Sequence, residues 1–135
     1  MTKYVLSIDG GGVRGLASAT FLSELDKSLP KKISKSFDLI VGTSTGGIIA
    51  LAISILKTEG EDLINIYSRE NLKEIFSPLR YRIPGSKYAG KSKRKIFENY
   101  FKGETLSSAE VPIIITAFDL EKRRIKTEIK GLHGR

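Results

Sequence analysis

Cysteine is absent from this chain, and histidine occurs once, at His133. The first absence excludes disulfides, thiol nucleophiles and thiolate metal sites; the second excludes a histidine-rich metal cluster. A secretory signal is also lacking, because Asp9 interrupts the only apolar run of the amino terminus. The longest uncharged stretch, Leu39–Leu56, barely reaches the length of a membrane span, and the Gly-Thr-Ser-Thr-Gly-Gly turn inside it would break any single helix. Repeats and internal domain boundaries are missing too. With 135 residues, 40% of them hydrophobic, the chain reads as one soluble domain with a substantial core. The expected location is the cytoplasm, the periphery of a membrane, or outside the cell by a route other than Sec.

Acidic residues are missing in one further place. Between Arg80 and Lys95 the sequence carries Arg80, Arg82, Lys87, Lys91, Lys93, Arg94 and Lys95 with none to balance them, within a formal net charge of +8. A solvated loop and helix face is the ordinary explanation of such a run. Among specific partners an anionic lipid surface suits it best, since nothing in the chain resembles a nucleic-acid-binding module.

The periodicities alternate between strand and helix. Tyr4–Ile8 reads as a short strand stopped by Asp9-Gly10-Gly11-Gly12, and Leu16, Ala19, Leu22 and Leu25 recur at helical spacing until Pro30. Phe37–Val41 reads as a second strand, followed by a helix from Thr45 to Lys57 that is apolar nearly all round and so belongs inside the fold. An amphipathic helix is expected from Glu61 to about Phe76, a loop over 78–90, and a helix from Lys91 to Phe101. Ile113–Phe118 and the polar-alternating Ile125–Lys130 complete the strands. Strands separated by helices imply an α/β layer fold with a largely parallel sheet.

Two strand-to-helix connections carry the chemistry. Gly42-Thr43-Ser44-Thr45-Gly46 fits G-x-S-x-G between an apolar strand and a helix, the context of a nucleophile elbow, which lifts one serine hydroxyl above the sheet. Gly42 and Gly46 flank Ser44 because the turn and the close strand–helix contact leave little room for a Cβ. The earlier Gly10-Gly11-Gly12-Val13-Arg14-Gly15 fits G-x-G-x-x-G after a strand. However, no acidic residue ends a second strand some twenty residues on to take a ribose hydroxyl, and no Gly-Lys-Ser/Thr follows. A dinucleotide site and a P-loop are therefore disfavoured. Successive glycine N–H groups at a helix start suit instead the oxyanion of a tetrahedral acyl intermediate. Arg14 would either add positive charge there or pair with Asp9 or a helix end.

At these residues the chain resembles the amino-terminal part of a patatin-like phospholipase. The family's opening motif stands as Asp9-Gly10-Gly11-Gly12-Val13-Arg14-Gly15 and its serine motif as Gly42-Thr43-Ser44-Thr45-Gly46-Gly47, at the family's spacing. Lys87-Tyr88 and Leu106–Asp119 resemble its later, less specific segments. The resemblance implies a three-layer α/β fold, with Ser44 as nucleophile and Gly10, Gly11 and Gly12, together with Arg14, as oxyanion hole. It implies hydrolysis of fatty acyl esters of phospholipids or neutral lipids, without metal or other cofactor, and leaves oligomeric state open. In that family an aspartate in a downstream Asp-Gly-Gly or Asp-Gly-Ala motif completes a Ser–Asp dyad. No such motif follows Ser44 here: Asp38, Asp62 and Asp119 each lack the following glycine, and His133 sits in a glycine-rich terminal segment. Residues 1–135 are accordingly expected to form an incomplete domain, with a sheet edge and core surface uncovered and poor solubility as the result. A catalytically inactive remnant or lipid-surface binding module is the competing expectation. A general Ser-His-Asp hydrolase is disfavoured, because its histidine would also have to lie downstream.

Overall fold

A computed structural model describes residues 2–68, 71, 94, 97–119 and 122–131. Four strands form one sheet in the order β1 (Val5–Ile8), β2 (Leu39–Thr43), β3 (Ile113–Asp119), β4 (Arg124–Lys130). β1, β2 and β3 run parallel, and β4 returns antiparallel to β3. The fold is thus α/β with a mainly parallel sheet, as the alternation of periods implies.

Register divides the strands into two faces. Leu6 and Ile8 of β1, Ile40 of β2, and Ile113 and Ile115 of β3 share one face. Helices α1 (Gly15–Ser28) and α2 (Thr45–Leu56) cover it, and Ile8, Ile40, Ile113, Ile49, Ile53, Ala19 and Leu22 form its buried core. α2 is the central piece, buried on most of its surface, as expected of a helix lacking a polar stripe. The opposite face carries Val5, Val41, Ile114, Phe118, Ile125 and Ile129. Among the described residues no second layer lies over it, and Phe118, Ile125 and Ile129 are 58%, 74% and 55% exposed. Sheets of parallel strands are ordinarily covered on both faces.

Two elements differ from their sequence reading. β2 occupies Leu39–Thr43 instead of Phe37–Val41. Its start is set by Asp38, which donates its N–H to the Tyr4 carbonyl (2.8 Å) and accepts the Tyr4 N–H (2.9 Å) and the Lys3 ammonium (2.8 Å) on its carboxylate. These bonds hold the Asp38 carboxyl below its ordinary range, the Lys3 contact contributing most. β2 then continues through Gly42 because β3 pairs with it as far as Thr43↔Thr116. Of the helix expected over Glu61–Phe76, the described residues show the single turn α3 (Asp62–Asn65), a tighter turn at Ile66 and Tyr67, and Asn71 again helical. Ser68 marks the break: its Oγ accepts the backbone N–H of Asn71 (3.3 Å), the bond of a residue that caps a helix start, and the Asn71 side-chain NH2 donates to the Asn65 carbonyl (3.0 Å). Residues 72–76, the expected loop over 78–90 and the basic residues 80–95 other than Arg94 lie outside the described residues, as do Lys87-Tyr88 and His133. Arg94 pairs with Glu98 (2.8 Å), and residues 97–101 are helical as expected. No helix among the described residues is long and apolar enough to cross a membrane.

Asp26 joins three separate segments. Its half-buried carboxylate accepts the Ile33 N–H (2.7 Å) and the Gly60 N–H (2.9 Å), tying α1 to the approach to β2 and to the turn before α3. Lys32 and Ser34 reach Glu59 alongside it. Two backbone donors satisfied by one charged acceptor would both lose their partner in Asp26→Ala. That substitution is expected to destabilise the fold by about 2–3 kcal/mol, read as a lowered urea midpoint with unchanged slope. A midpoint within error of the parent would refute the assignment.

Candidate active site

The carboxyl ends of β1 and β2 both run directly into helices. β1 ends at Ile8 and a short 3-10 turn, Gly12–Arg14, leads into α1; β2 ends at Thr43 and α2 begins at Thr45. Both helix N-termini, with their unsatisfied N–H groups and partial positive charge, therefore meet at one edge of the sheet. This is also the edge where open α/β sheets place ligands.

Ser44 is the residue between strand and helix. Its backbone stands at φ 54, ψ −121, a left-handed conformation that a side chain adopts only under constraint. Three contacts supply the constraint. The Ser44 carbonyl accepts the Gly47 and Ile48 N–H groups (2.9 and 3.3 Å), starting α2. The Ser44 N–H points to the Thr116 carbonyl on β3 (3.4 Å), and the Thr43 and Thr116 hydroxyls share a hydrogen bond of 2.7 Å. The Ser44 side chain is exposed, and among the described residues no group hydrogen-bonds to its Oγ.

The flanking glycines are sterically required. A Cβ on Gly42 would fall 2.5 Å from the Gly46 carbonyl oxygen and 2.6 Å from the Gly47 Cα. One on Gly46 would fall 2.1 Å from the Ile8 carbonyl oxygen and 2.8 Å from that of Asp9. These obstacles are backbone, which cannot swing aside, so strand, turn and helix touch with nothing between them.

The glycine loop meets the serine turn directly. A Cβ on Gly10 would lie 2.8 Å from the Thr43 carbonyl oxygen and 2.9 Å from Ser44 Cβ. Gly11 donates its N–H to Thr45 Oγ1 (3.2 Å), and its carbonyl accepts the Arg14 N–H (3.1 Å). Gly12, at φ 59, faces open space, with nothing within 4 Å of where a Cβ would stand. The Arg14 side chain lies back towards Gly11 and makes no ion pair with Asp9 among the described residues, so neither of its two expected pairings is seen there.

The structure thus brings together Gly10, Gly11, Gly12, Arg14, Gly42, Ser44 and Gly46 at one sheet edge. It does not bring Asp38 there, which sits at the opposite end of β2, nor Asp62, which opens α3. Asp119 ends β3 at the same edge as Ser44, and its carboxylate accepts the Lys122 N–H (3.0 Å) across the turn to β4. Among the described residues no three His, Asp or Glu side chains converge to hold a metal ion. An apolar groove of about 390 Å³ runs beside the glycine loop between β1 and α1, lined by Leu6, Ile8, Asp9, Ala17 and Phe21. Roomier hollows of about 560 and 770 Å³ lie around Lys3 and Asp38, at the strand ends remote from Ser44.

Two participants escape a reading of the sequence. Thr45 is 3% exposed and offers its hydroxyl to Gly11. Tyr67 is 5% exposed and reaches the Thr45 carbonyl with its phenol (3.4 Å), and burial pushes that phenol above its ordinary pKa. Thr45 could have been noticed as the hydroxyl residue next to the serine. Tyr67 gives no local signal, being one aromatic in an amphipathic run.

A strained serine on a strand–helix turn, packed against a glycine loop at the start of a second helix, can host acyl transfer. The comparisons with known proteins agree with this class. The family described as Patatin-like phospholipase matches residues 6–130. Patatin-17 of Solanum cardiophyllum is 31% identical over 133 residues, covering 89% of this chain and 34% of its own length. Patatin-like protein 2 of Oryza sativa subsp. indica is 32% identical, covering 86% of this chain and 34% of its own. A cGAMP-activated phospholipase of Pseudomonas aeruginosa is 51% identical over 53 residues, which are 39% of this chain and 16% of that protein. The chain belongs to the patatin-like phospholipase family. It spans about a third of the length of the two patatin relatives.

The contacts at Gly42 and Gly46 make a direct prediction. Gly42→Ala and Gly46→Ala should each cost at least about 3 kcal/mol, because backbone must shift to admit the methyl group. Gly103→Ala, where the neighbourhood is open and only the φ of 77 opposes a side chain, should cost about 1 kcal/mol. Chemical denaturation of the three variants checks the order, and equal losses would contradict the close-packed turn.

Proposed function

We propose that the chain carries the nucleophile and oxyanion-binding half of a lipid acyl hydrolase acting on phospholipids or other fatty acyl esters. The observation that supports it most is the left-handed Ser44, exposed at the head of α2, with Gly10 so close that a Cβ there would fall 2.9 Å from Ser44 Cβ. In this reading Ser44 Oγ attacks the ester carbonyl, and its proton passes to a general base. The tetrahedral oxyanion is stabilised by glycine-loop amides, by the N-termini of α1 and α2, and by the charge of Arg14. Collapse expels the alcohol portion and leaves an acyl-serine, which water then hydrolyses.

The base is the aspartate of a Ser–Asp dyad outside these residues, and 1–135 act as part of a longer patatin-like domain. That placement is supported among the described residues, where no group hydrogen-bonds to Ser44 Oγ and Asp38 and Asp119 are engaged elsewhere. The same observations support a second reading, in which the chain alone is a catalytically inactive remnant that only binds lipid surfaces. A serine hydroxyl without a base is a weak nucleophile.

Labelling with a fluorophosphonate serine probe, alongside short-chain ester turnover, separates these readings. Label and turnover lost in Ser44→Ala would establish the nucleophile and place a base inside the chain. Absence of both from a folded protein would leave the chain catalytically incomplete. Ser44-independent turnover would refute the assignment. The basic residues between Arg80 and Lys95 are proposed to hold the domain on anionic lipid. Reversing the charge of Lys91, Lys93 and Lys95 should weaken sedimentation with phosphatidylserine vesicles about tenfold or more, an effect that fades with salt. Unchanged sedimentation would exclude this contact.

A further inference from the structure

An oxyanion site built from a loop and a serine on different strands works only if the two are held in register. A displacement of about 1 Å can cost a hundredfold in rate. Backbone contact at Gly10 keeps the loop from moving closer to Ser44, but contact alone does not keep it from lifting away. One side chain spans the gap. Thr45 follows the serine, is buried, and accepts the Gly11 N–H on Oγ1 at 3.2 Å. Its carbonyl accepts the Tyr67 phenol, whose oxygen is packed so tightly against the first residue of α1 that a Cβ on Gly15 would fall 2.2 Å from it. Thr45 therefore touches the loop from the serine's own turn, and Tyr67 braces the starts of both helices from behind.

An amide N–H carries one hydrogen, and sharing it between two acceptors weakens both bonds. The Gly11 hydrogen is already committed to Thr45. Building on the serine-hydrolase reading, we propose that Thr45 is a positioning residue, which ties the glycine loop to the nucleophile's turn through its hydroxyl. Gly11 is then the tie itself and not an oxyanion donor, which leaves the Gly10 and Gly12 amides, neither committed to an acceptor among the described residues, as the loop's donors. This narrows the set of amides assigned from the sequence.

The test compares Thr45→Val, which keeps the shape and removes the acceptor, with Thr45→Ser, which keeps the hydroxyl. Two quantities are read on the whole 135-residue chain: the fluorophosphonate labelling rate of Ser44 and the hydrogen exchange of the Gly11 amide. Thr45→Val should slow the maximal labelling rate by about 10–100-fold at unchanged half-saturating probe, and speed Gly11 exchange by about tenfold or more. Thr45→Ser should restore both to within about threefold. Should Thr45→Val fail to fold, Thr45→Ala removes the hydroxyl without adding bulk and carries the same expectation. Labelling by Thr45→Val at the parental rate, or Gly11 exchange that does not change, would overturn the inference while leaving the serine assignment standing. A slowing that Thr45→Ser does not rescue would overturn it too, since side-chain packing would then be responsible. A folded parent that never labels would leave the chain catalytically incomplete, as a base outside it implies, and the Gly11 exchange of Thr45→Val against Thr45→Ser would then decide the tie alone: exchange that does not change would still overturn it.

Discussion

Everything at the edge that carries Ser44 depends on one close approach. The last carbonyls of β1, at Ile8 and Asp9, lie against Gly46 in the first turn of α2, and Gly42 lies against the same turn from β2. Two strands and a helix meet with backbone against backbone. Because α2 cannot retreat, Ser44 is forced through a left-handed turn, and because β1 cannot retreat, the glycine loop emerges beside it. The strain at one residue is offset by the burial of α2, whose apolar surface is covered nearly all round. A less hydrophobic helix in this position would leave the turn without the packing that sustains it.

The sequence made the strand–turn–helix geometry around Ser44 legible because its requirements are local. A strand period, a glycine pattern and a helix period follow one another within a few residues, and each constrains the next. The apolar character of α2 likewise marked it as interior. What remained hidden depends on partners far along the chain. β2 runs on to Thr43 because β3 pairs with it, and that pairing has no signature near residue 43. The break after α3 is marked by Ser68, whose hydroxyl accepts the Asn71 N–H as a helix-capping residue does. Neither the commitment of the Gly11 amide nor the brace at Tyr67 is visible until three segments have come together.

The two faces of the sheet are physically unequal. One is sealed by α1 and α2 around isoleucines with no exposure, while the other presents Phe118, Ile125 and Ile129 to solvent among the described residues. The half of the site seen here is anchored to the sealed side through α2 and the start of α1, and to the open face through the hydrogen bond between the Thr43 and Thr116 hydroxyls. Two helix N-termini and a cationic Arg14 favour negative charge at this edge of the sheet.

The connection between β2 and β3 gives the molecule an unusual tolerance. Thr43 and Thr116 share a hydrogen bond although 73 residues separate them, whereas β1 and β2 are joined by a single short helix and β3 and β4 by a tight reversal. The entropy of closing a long loop grows only with the logarithm of its length, about 0.6 kcal/mol per doubling. Segments inserted between α3 and β3 would thus leave the geometry at Ser44 nearly untouched. In evolution, that stretch is where a chain of this architecture can gain or lose whole segments, while the turn at Ser44 stays the same.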